Sequence, residues 1–509
     1  LPRNAAHRLS LVTTMAHTSA RQTFDDRRSA GALLHPTSLP GRYGIGDLGD
    51  DTIAFLDWLA SAGMTLWQVL PINPPGYGYS PYACLSSFAG NPLLISPQRM
   101  LEAGLLDAAD TADPPAFAHD HVEFERAAAY KFALLRRSFE RFRGDADFDG
   151  FAHAQREWLD GYALYMSLKN AAGGKPWWEW DRDIRTQDAR AMSEARSRFA
   201  KDIAFWQFTQ WLFCRQWDVV RSAARERGIR IMGDVPIYVA GDSADVWSSR
   251  ELFQLDEEGL PTVVAGVPPD YFSKTGQRWG NPLYRWDLHR ETGYAWWIAR
   301  VKANLRFADM IRLDHFRGFA AYWEIDASEP TAVNGRWMPG PGRDLFDAIR
   351  KALGDLPLIA EDLGFITPAV HQLRADIGVP GMKILQFGFG EDDSPHLPHR
   401  YDVHTVAYTG THDNDTACGW FGTVDDDERA RATSYLGEGD IAWNMIRAVY
   451  TSVAETAIVP VQDILSLDSR ARMNTPGKEK DNWSWRLTPA ALTREHAERL
   501  RQLGVVAGR

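Results

Sequence analysis

The sequence has few cysteines and no long apolar run, and both absences limit the classes of protein it can encode. Cys84, Cys214 and Cys418 are too few and too scattered for a disulfide framework or a metal site, and they fit a reducing cytoplasm. No apolar run is long enough to span a bilayer, so no membrane partner is expected. The net charge of −11 argues against a nucleic-acid partner, because phosphate binding favours a clustered basic surface.

Residues 1–29 differ in composition from the rest of the chain. They are rich in Arg, His, Ser and Thr and have no apolar core of a secretory signal, so we expect a disordered leader or an upstream translation artefact. Residues 30–509 are expected to form one compact body. The 20 tryptophans of the chain favour a carbohydrate cleft, because flat aromatic faces suit the C–H faces of a sugar ring.

Eight short runs rich in Ile, Leu and Val are typical of parallel strands covered on both faces. With helical patterns between them, as at Asp51–Ala62, they predict an α/β fold of the (β/α)8 TIM-barrel type. Two long connections predict a mainly helical insertion on the barrel rim at about 80–228 and a loop region at about 240–308. The eight predicted strands are Ala30–Leu34, Thr65–Pro71, Ile229–Val235, Met310–Leu313, Leu358–Ala360, Met382–Phe387, Thr405–Tyr408 and Ile458–Val461.

Three carboxylates stand at or just beyond the ends of three of these runs. Asp314 and Glu361 follow their runs directly, and Asp413 lies in the polar segment Thr411–Asp415. Because active-site residues of a barrel come from the carboxyl ends of several strands, we expect the three to converge. Two carboxyls on one sugar, with a third in support, are suited to breaking and remaking glycosidic bonds.

Neighbouring side chains predict how these carboxyls titrate. Arg312 lies two residues before Asp314 and faces the same way in a strand, so we expect it to keep Asp314 ionised and to lower its pKa. Glu361, partly buried near other carboxylates, is expected to have a raised pKa, as a general acid requires.

Two further residues complete the predicted cluster. His412, next to Asp413, is expected to add a hydrogen bond to sugar hydroxyls, and Asp234 ends another strand, where it can support Arg312. Taken alone, each of these motifs is also compatible with a structural role as an ion pair, a helix cap or a polar turn.

The segment Gly44–Gly49 matches the spacing of a dinucleotide fingerprint, but its context argues against that use. The preceding turn is long and contains Pro40, and the next strand, ending at Pro71, supplies no acidic ribose ligand. No motif for a nucleotide, a metal or another cofactor is present, so none is expected.

The ordered motifs together resemble those of the 4-α-glucanotransferases, also called amylomaltases or disproportionating enzymes, which are relatives of the α-amylases. The resemblance covers roughly residues 30–500. Besides the carboxylate motifs, the matching segments are His35–Gly41, Leu70–Gly76, Tyr79–Tyr82, Gly233–Tyr238, Gly266–Phe272, Gly276–Pro282 and Met382–Phe387.

The resemblance implies a retaining transfer of α-1,4-glucan segments. Asp314 is then the nucleophile, Glu361 the acid/base and Asp413 the transition-state stabiliser, with the two reacting carboxyls about 5–5.5 Å apart. The implied partners are maltooligosaccharides, glucans derived from starch or glycogen, and glucose. The resemblance implies that Asp234, Arg312 and His412 support the donor subsite and that the Tyr79 ring flanks the reacting sugar. The residues implied to contact the acceptor are Tyr271, Phe272 and Trp279.

One departure separates the chain from many α-amylases, and it puts an amylase-type calcium site in doubt: Asp234 is followed by no Asn-His pair. The closest alternative activity is α-1,4-glucan hydrolysis by the same three carboxylates. A non-catalytic glucan-binding barrel and an NAD-linked enzyme are more remote alternatives.

Overall fold

A computed structural model describes residues 28–269, 273–478 and 480–509. Residues 1–27 of the expected leader lie outside this range, whereas Ser29 already belongs to the first strand. The described residues contain twelve strands, which are β1 (Ser29–Leu33), β2 (Leu66–Gln68), β3 (Arg230–Pro236), β4 (Val263–Val267), β5 (Gln277–Pro282), β6 (Met310–Asp314), β7 (Ala321–Asp326), β8 (Gly335–Pro339), β9 (Leu358–Ala360), β10 (Gly381–Ile384), β11 (Thr405–Tyr408) and β12 (Thr456–Pro460).

Helices follow or separate most of these strands. None in the described part of the chain combines the length and apolar character needed to cross a bilayer. The α-helices are α1 (Asp50–Ser61), α2 (Pro97–Glu102), α3 (Phe124–Arg141), α4 (Ala146–Ala171), α5 (Arg182–Arg185), α6 (Ala189–Arg198), α7 (Ala200–Glu226), α8 (Ala244–Ser248), α9 (Trp286–Glu291), α10 (Ala295–Leu305), α11 (Arg343–Leu353), α12 (Pro368–Ile377), α13 (Ala417–Thr423), α14 (Asp426–Leu436), α15 (Ile441–Thr451), α16 (Val461–Ile464) and α17 (Arg494–Ala507).

Eight strands form one parallel sheet in the order β10-β11-β12-β1-β2-β3-β6-β9. They correspond to the eight predicted strands within a few residues at each end. The sheet closes further where the backbone N–H of Ala360, at the end of β9, donates to the carbonyl oxygen of Pro380, just before β10, at 2.9 Å. The predicted (β/α)8 barrel is confirmed.

The barrel interior is filled by apolar side chains from its strands. They are buried because helices cover the outside while the interior admits no solvent. Arg312 Nε lies 3.4 Å from Met382 Sδ, so this apolar layer directly underlies the polar end of the barrel. The layer consists of Leu33, Leu66, Met232, Met310, Ile359, Met382, Ile384, Val406, Tyr408 and Ile458.

Helices α2 to α7 lie between β2 and β3, in the stretch predicted as a helical insertion. The Gly44–Gly49 motif helps to join this insertion to the barrel. Asp47 pairs with the buried Lys131 of α3 at 3.1 Å, and a Cβ on Gly46 would lie 2.1 Å from the carbonyl oxygen of Pro36. The glycines therefore allow close packing of the loop before α1.

A second, antiparallel sheet has the order β5-β4-β7-β8 and covers part of the barrel's carboxyl end. We predicted only a loop region at about 240–308 where β4 and β5 lie. The strand patterns are weak because β5 is largely exposed and contains Gly280 and Pro282. The sheet contacts the segment after Asp314 from both edges, through Trp279 of β5 and Trp337 of β8.

Candidate active site

Strand register brings the predicted site residues to one end of the barrel. Asp234 of β3 is the direct neighbour of Arg312 on β6, and Asp314 lies opposite Pro236. On the other side of β6, Leu313 pairs with Ala360, which places Asp314 level with Glu361 just beyond β9. Parallel strands in register therefore carry these residues to the same face.

Arg312 is the cation at the centre of the cluster. Its Nη1 lies 2.6 Å from Asp234 Oδ2, and its Nη2 lies 2.9 Å from Asp314 Oδ1. The side chains of Arg312 and Asp234 are 4% and 0% exposed, whereas that of Asp314 is 28% exposed. The guanidinium is thus buried together with the Asp234 carboxylate, and it orients the Asp314 carboxylate, which faces the cleft.

Tyr82 belongs to this cluster, although sequence analysis selected Tyr79 and not Tyr82. Its hydroxyl donates to Asp234 Oδ2 at 2.8 Å. Its ring stacks on His412, with centroids 5.1 Å apart and an interplanar angle of 16°. Both tyrosines occur in the matching segment Tyr79–Tyr82, so the motif itself could have indicated Tyr82.

Tyr79 lies beside the cluster rather than in it. Its ring stacks on Phe124 at 4.5 Å, and its φ of 55° is left-handed. It lines a small pocket together with Trp483. The Trp483 ring also contacts the rings of Tyr82 and His412, with centroids 5.7 and 5.8 Å apart. This pocket therefore adjoins the carboxylate cluster.

Glu361 is held by backbone donors. Its Oε2 accepts a hydrogen bond from the N–H of His315 at 2.7 Å, and its Oε1 accepts one from Leu363 at 2.9 Å. His315, with φ at 50°, directly follows Asp314 in the chain. The local backbone turn after Asp314 thus fixes the orientation of the Glu361 carboxylate.

Asp413 is positioned by residues from a distant segment. Asn474 Nδ2 donates to Asp413 Oδ1 at 2.6 Å, and Arg472 Nη2 donates to the Asp413 carbonyl oxygen at 2.6 Å. His412 Nε2 lies 3.4 Å from Asp413 Oδ2. The Asp413 side chain is 45% exposed, so these contacts orient it without closing it off from the cleft. Sequence reasoning missed Asn474 because no local pattern links it to residue 413.

A buried carboxylate holds the two ends of the loop that carries His412 and Asp413. Asp463 Oδ2 accepts from the Thr409 hydroxyl at 2.6 Å, and its Oδ1 accepts from the backbone N–H of Ala417 at 2.7 Å. Burial raises the pKa of Asp463 to about 6, against these hydrogen bonds. The loop is therefore fixed at both ends by a side chain of α16, the short helix that directly follows β12.

Burial raises the pKa of Asp314, Arg312 lowers it, and Asp234, Glu361 and Asp413 raise it, so that the pKa comes to about 8. Arg312 does lower this pKa, as predicted, but the prediction that it keeps Asp314 ionised is wrong for the protein alone, because burial and three carboxylates outweigh one guanidinium. Burial also raises the pKa of Glu361, as predicted. Together the two carboxyls retain a proton at neutral pH, and they titrate as a pair.

The acceptor-side residues are described only in part. Trp279, which is 38% exposed, meets His315 edge-on at 4.8 Å, next to Asp314. Tyr271 and Phe272 lie outside the described residues. Within the described ranges, no group of three or more His, Cys, Asp or Glu side chains is arranged to hold a metal ion.

Comparison with known proteins places this geometry in a family. The family model described as 4-alpha-glucanotransferase matches residues 34–493. The chain is 49% identical over 493 residues to the 4-alpha-glucanotransferase of Thermus thermophilus, which covers 94% of this chain and 98% of that protein. The chain belongs to the 4-α-glucanotransferase family. It is also 49% identical over 481 residues to the Synechocystis 4-alpha-glucanotransferase, with 92% and 95% of the two chains covered.

A solved structure of a 4-α-glucanotransferase relative agrees with this assignment. The amylomaltase from Streptococcus agalactiae in complex with acarbose has a TM-score of 0.92 and 36% identity, and the match covers 95% of this chain and 100% of that one. The fold and the family therefore agree, and the chain is an enzyme that transfers α-1,4-glucan segments.

We predict that kcat/KM falls above about pH 8, where the carboxyl pair loses its remaining proton. Asp234→Asn removes a negative charge that raises the pKa of Asp314 and frees Arg312 to stabilise the Asp314 carboxylate. The alkaline limb should therefore move to lower pH by about one unit. The measurement is kcat/KM from pH 4 to 10, and Asp355→Asn, which removes an exposed carboxylate after α11, is the control. If the alkaline limb of Asp234→Asn stays in place or moves to higher pH, the assignment of this limb to the Asp314–Glu361 pair is wrong.

We also predict that Asn474→Ala lowers kcat by roughly tenfold to a hundredfold, because Asp413 loses the donor that orients it. Asn474→Asp should lower kcat further, since it places a second carboxylate against Asp413. Steady-state kinetics with maltotriose separate kcat from KM. An Asn474→Asp enzyme as active as the parent, or a rise in KM with kcat unchanged, would exclude this role.

Proposed function

We propose that the chain performs its transfer as a retaining double displacement, with Asp314 as nucleophile, Glu361 as acid/base and Asp413 as stabiliser of the transition state. The proposal is carried by the position of Asp314 and Glu361 at the same height on the adjacent strands β6 and β9. Glu361 accepts a hydrogen bond there from the backbone N–H of the residue after Asp314. Carboxyls so placed suit the short separation of a retaining pair, about 5–5.5 Å.

The first half-reaction uses the one proton that the pair retains. In the reacting complex this proton lies on Glu361, and Arg312 stabilises Asp314 as a carboxylate. Asp314 attacks the anomeric carbon of the donor glucan, the glycosidic C–O bond breaks, and Glu361 gives its proton to the departing oxygen. The products are a covalent glycosyl-enzyme and a free reducing-end fragment.

The second half-reaction reverses these roles. Glu361, now a carboxylate, takes the proton from the 4-hydroxyl of an acceptor glucan or glucose, and that oxygen displaces Asp314 from the anomeric carbon. Two inversions give net retention of the α configuration. An acceptor bound beside the intermediate reacts at a high effective concentration, which favours transfer over attack by water.

The remaining predicted residues surround this reaction. Asp413 and His412 bind hydroxyls of the reacting sugar, and such bonds strengthen as positive charge develops at the anomeric carbon. Asp234 and Arg312 hold the donor side, together with Tyr82, and Tyr79 lines the adjoining pocket. Trp279 of β5 lies on the acceptor side, and the expectation that Tyr271 and Phe272 bind the acceptor falls on residues outside the described ranges.

The proposed substrates are maltooligosaccharides and longer α-1,4-glucans from starch or glycogen, with glucose as the smallest acceptor. We assign residues 30–509 to one catalytic unit, with the helical insertion and the small sheet as parts of its rim.

A cytoplasmic location fits the three free cysteines. Every step above uses side chains of the chain itself.

The test is incubation with pure maltotriose, with the products resolved over time by chromatography. We expect glucose together with a ladder of maltodextrins longer than maltotriose. Glucose and maltose without longer products would mean hydrolysis and would overturn transfer. The control is Asp314→Asn, which should form no products yet still bind maltotriose in calorimetry; unchanged turnover in this variant would reject Asp314 as the nucleophile.

A further inference from the structure

A buried arginine lies between two exposed aromatic rings on the rim of the cleft. The guanidinium of Arg317 is 3.9 Å from the ring centroid of Trp337 and 5.8 Å from that of Phe365. An Nη1 hydrogen bond to the carbonyl oxygen of Phe365 ties the three residues together. Trp337 and Phe365 remain 38% and 70% exposed, whereas Arg317 is only 5% exposed. The cation thus holds two aromatic side chains at the surface.

The burial of Arg317 is not explained by an ion pair. Among residues 28–269, 273–478 and 480–509, no carboxylate lies within ion-pair distance of it, and its buried Nε has no hydrogen-bond partner. Burial lowers its pKa. A cation that is buried without an acidic partner is costly, so contacts with aromatic faces and with a neutral polar ligand would both offset that cost.

The cluster adjoins the reacting carboxylates on the Glu361 side. Arg317 follows Asp314 by three residues, and Phe365 follows Glu361 by four, which limits the separation of their backbones to roughly 14 Å. Trp337 belongs to β8, the edge of the small sheet opposite Trp279. The cluster therefore lies near the side of the cleft where, in the proposed mechanism, Glu361 protonates the departing fragment.

We propose that Trp337, Phe365 and Arg317 form an outer platform that binds distal sugar units of an α-1,4-glucan chain on the acceptor side. The two rings offer flat apolar surfaces to sugar C–H faces, and the guanidinium donates to hydroxyl oxygens. A free glucose acceptor occupies only the position beside the reacting carbon and does not reach the platform. The platform consequently favours long acceptors over glucose, and this inference rests on the proposed function.

The test compares two acceptors with one saturating donor, soluble starch. Glucose and maltopentaose, each radiolabelled at the reducing-end unit, are supplied separately, and only labelled products longer than the acceptor are counted. The readout is the ratio of kcat/KM for maltopentaose to kcat/KM for glucose. Phe365→Ala should lower this ratio about fivefold, the size expected for the loss of one aromatic contact, and Trp337→Ala should lower it at least as much.

Tyr435→Ala is the matched control, because it removes a 40% exposed ring on α14 away from the cleft, and its ratio should equal that of the parent. Phe365 is the primary test position because its exposure makes misfolding of the variant a small risk; melting temperatures of all variants check this. An unchanged ratio in Phe365→Ala and Trp337→Ala would overturn the platform while leaving transfer intact. Absence of labelled longer products in the parent enzyme would instead refute the proposed function.

Discussion

The active site depends on one buried guanidinium. Arg312 joins Asp234, which is fully buried, to Asp314, which faces the cleft, and Glu361 and Asp413 lie close enough to raise the pKa of Asp314. Four carboxyls around a single arginine repel one another strongly unless a proton is retained. The retained proton is the one that a retaining mechanism has to pass to the departing sugar, so the crowding of charge itself prepares the site for catalysis.

The rest of the fold keeps these groups in place through strand register and hydrogen bonds. Register between β3 and β6 sets the Asp234–Arg312 contact, while backbone N–H groups after β6 and β9 hold Glu361. Asp413 stands on a loop fixed at both ends by Asp463. Each carboxylate is thereby oriented from a different structural element, which is the common advantage of building a site at the carboxyl ends of barrel strands.

Much of this arrangement could be predicted from the sequence, because the signals are local. Most barrel strands are short runs dominated by apolar residues, and Asp314 and Glu361 stand at the ends of two such runs. The small sheet could not be predicted, since its edge strands β5 and β8 are partly exposed and contain glycine and proline. Asn474 acts across a separation of 61 residues, and the raised pKa of Asp314 arises from burial and from charges brought together only by folding. Neither the Asn474 contact nor the raised pKa can be inferred from the spacing of residues in the sequence.

The measurement that tests the central claim most directly is capture of the glycosyl-enzyme. A donor that forms the intermediate quickly but releases it slowly, such as a glucosyl fluoride with a second fluorine on the ring, is incubated with the protein, and the digested peptides are analysed by mass spectrometry. The account predicts a single glycosyl adduct on Asp314. An adduct on Glu361 or Asp413, or transfer products of inverted configuration with no adduct, would contradict it.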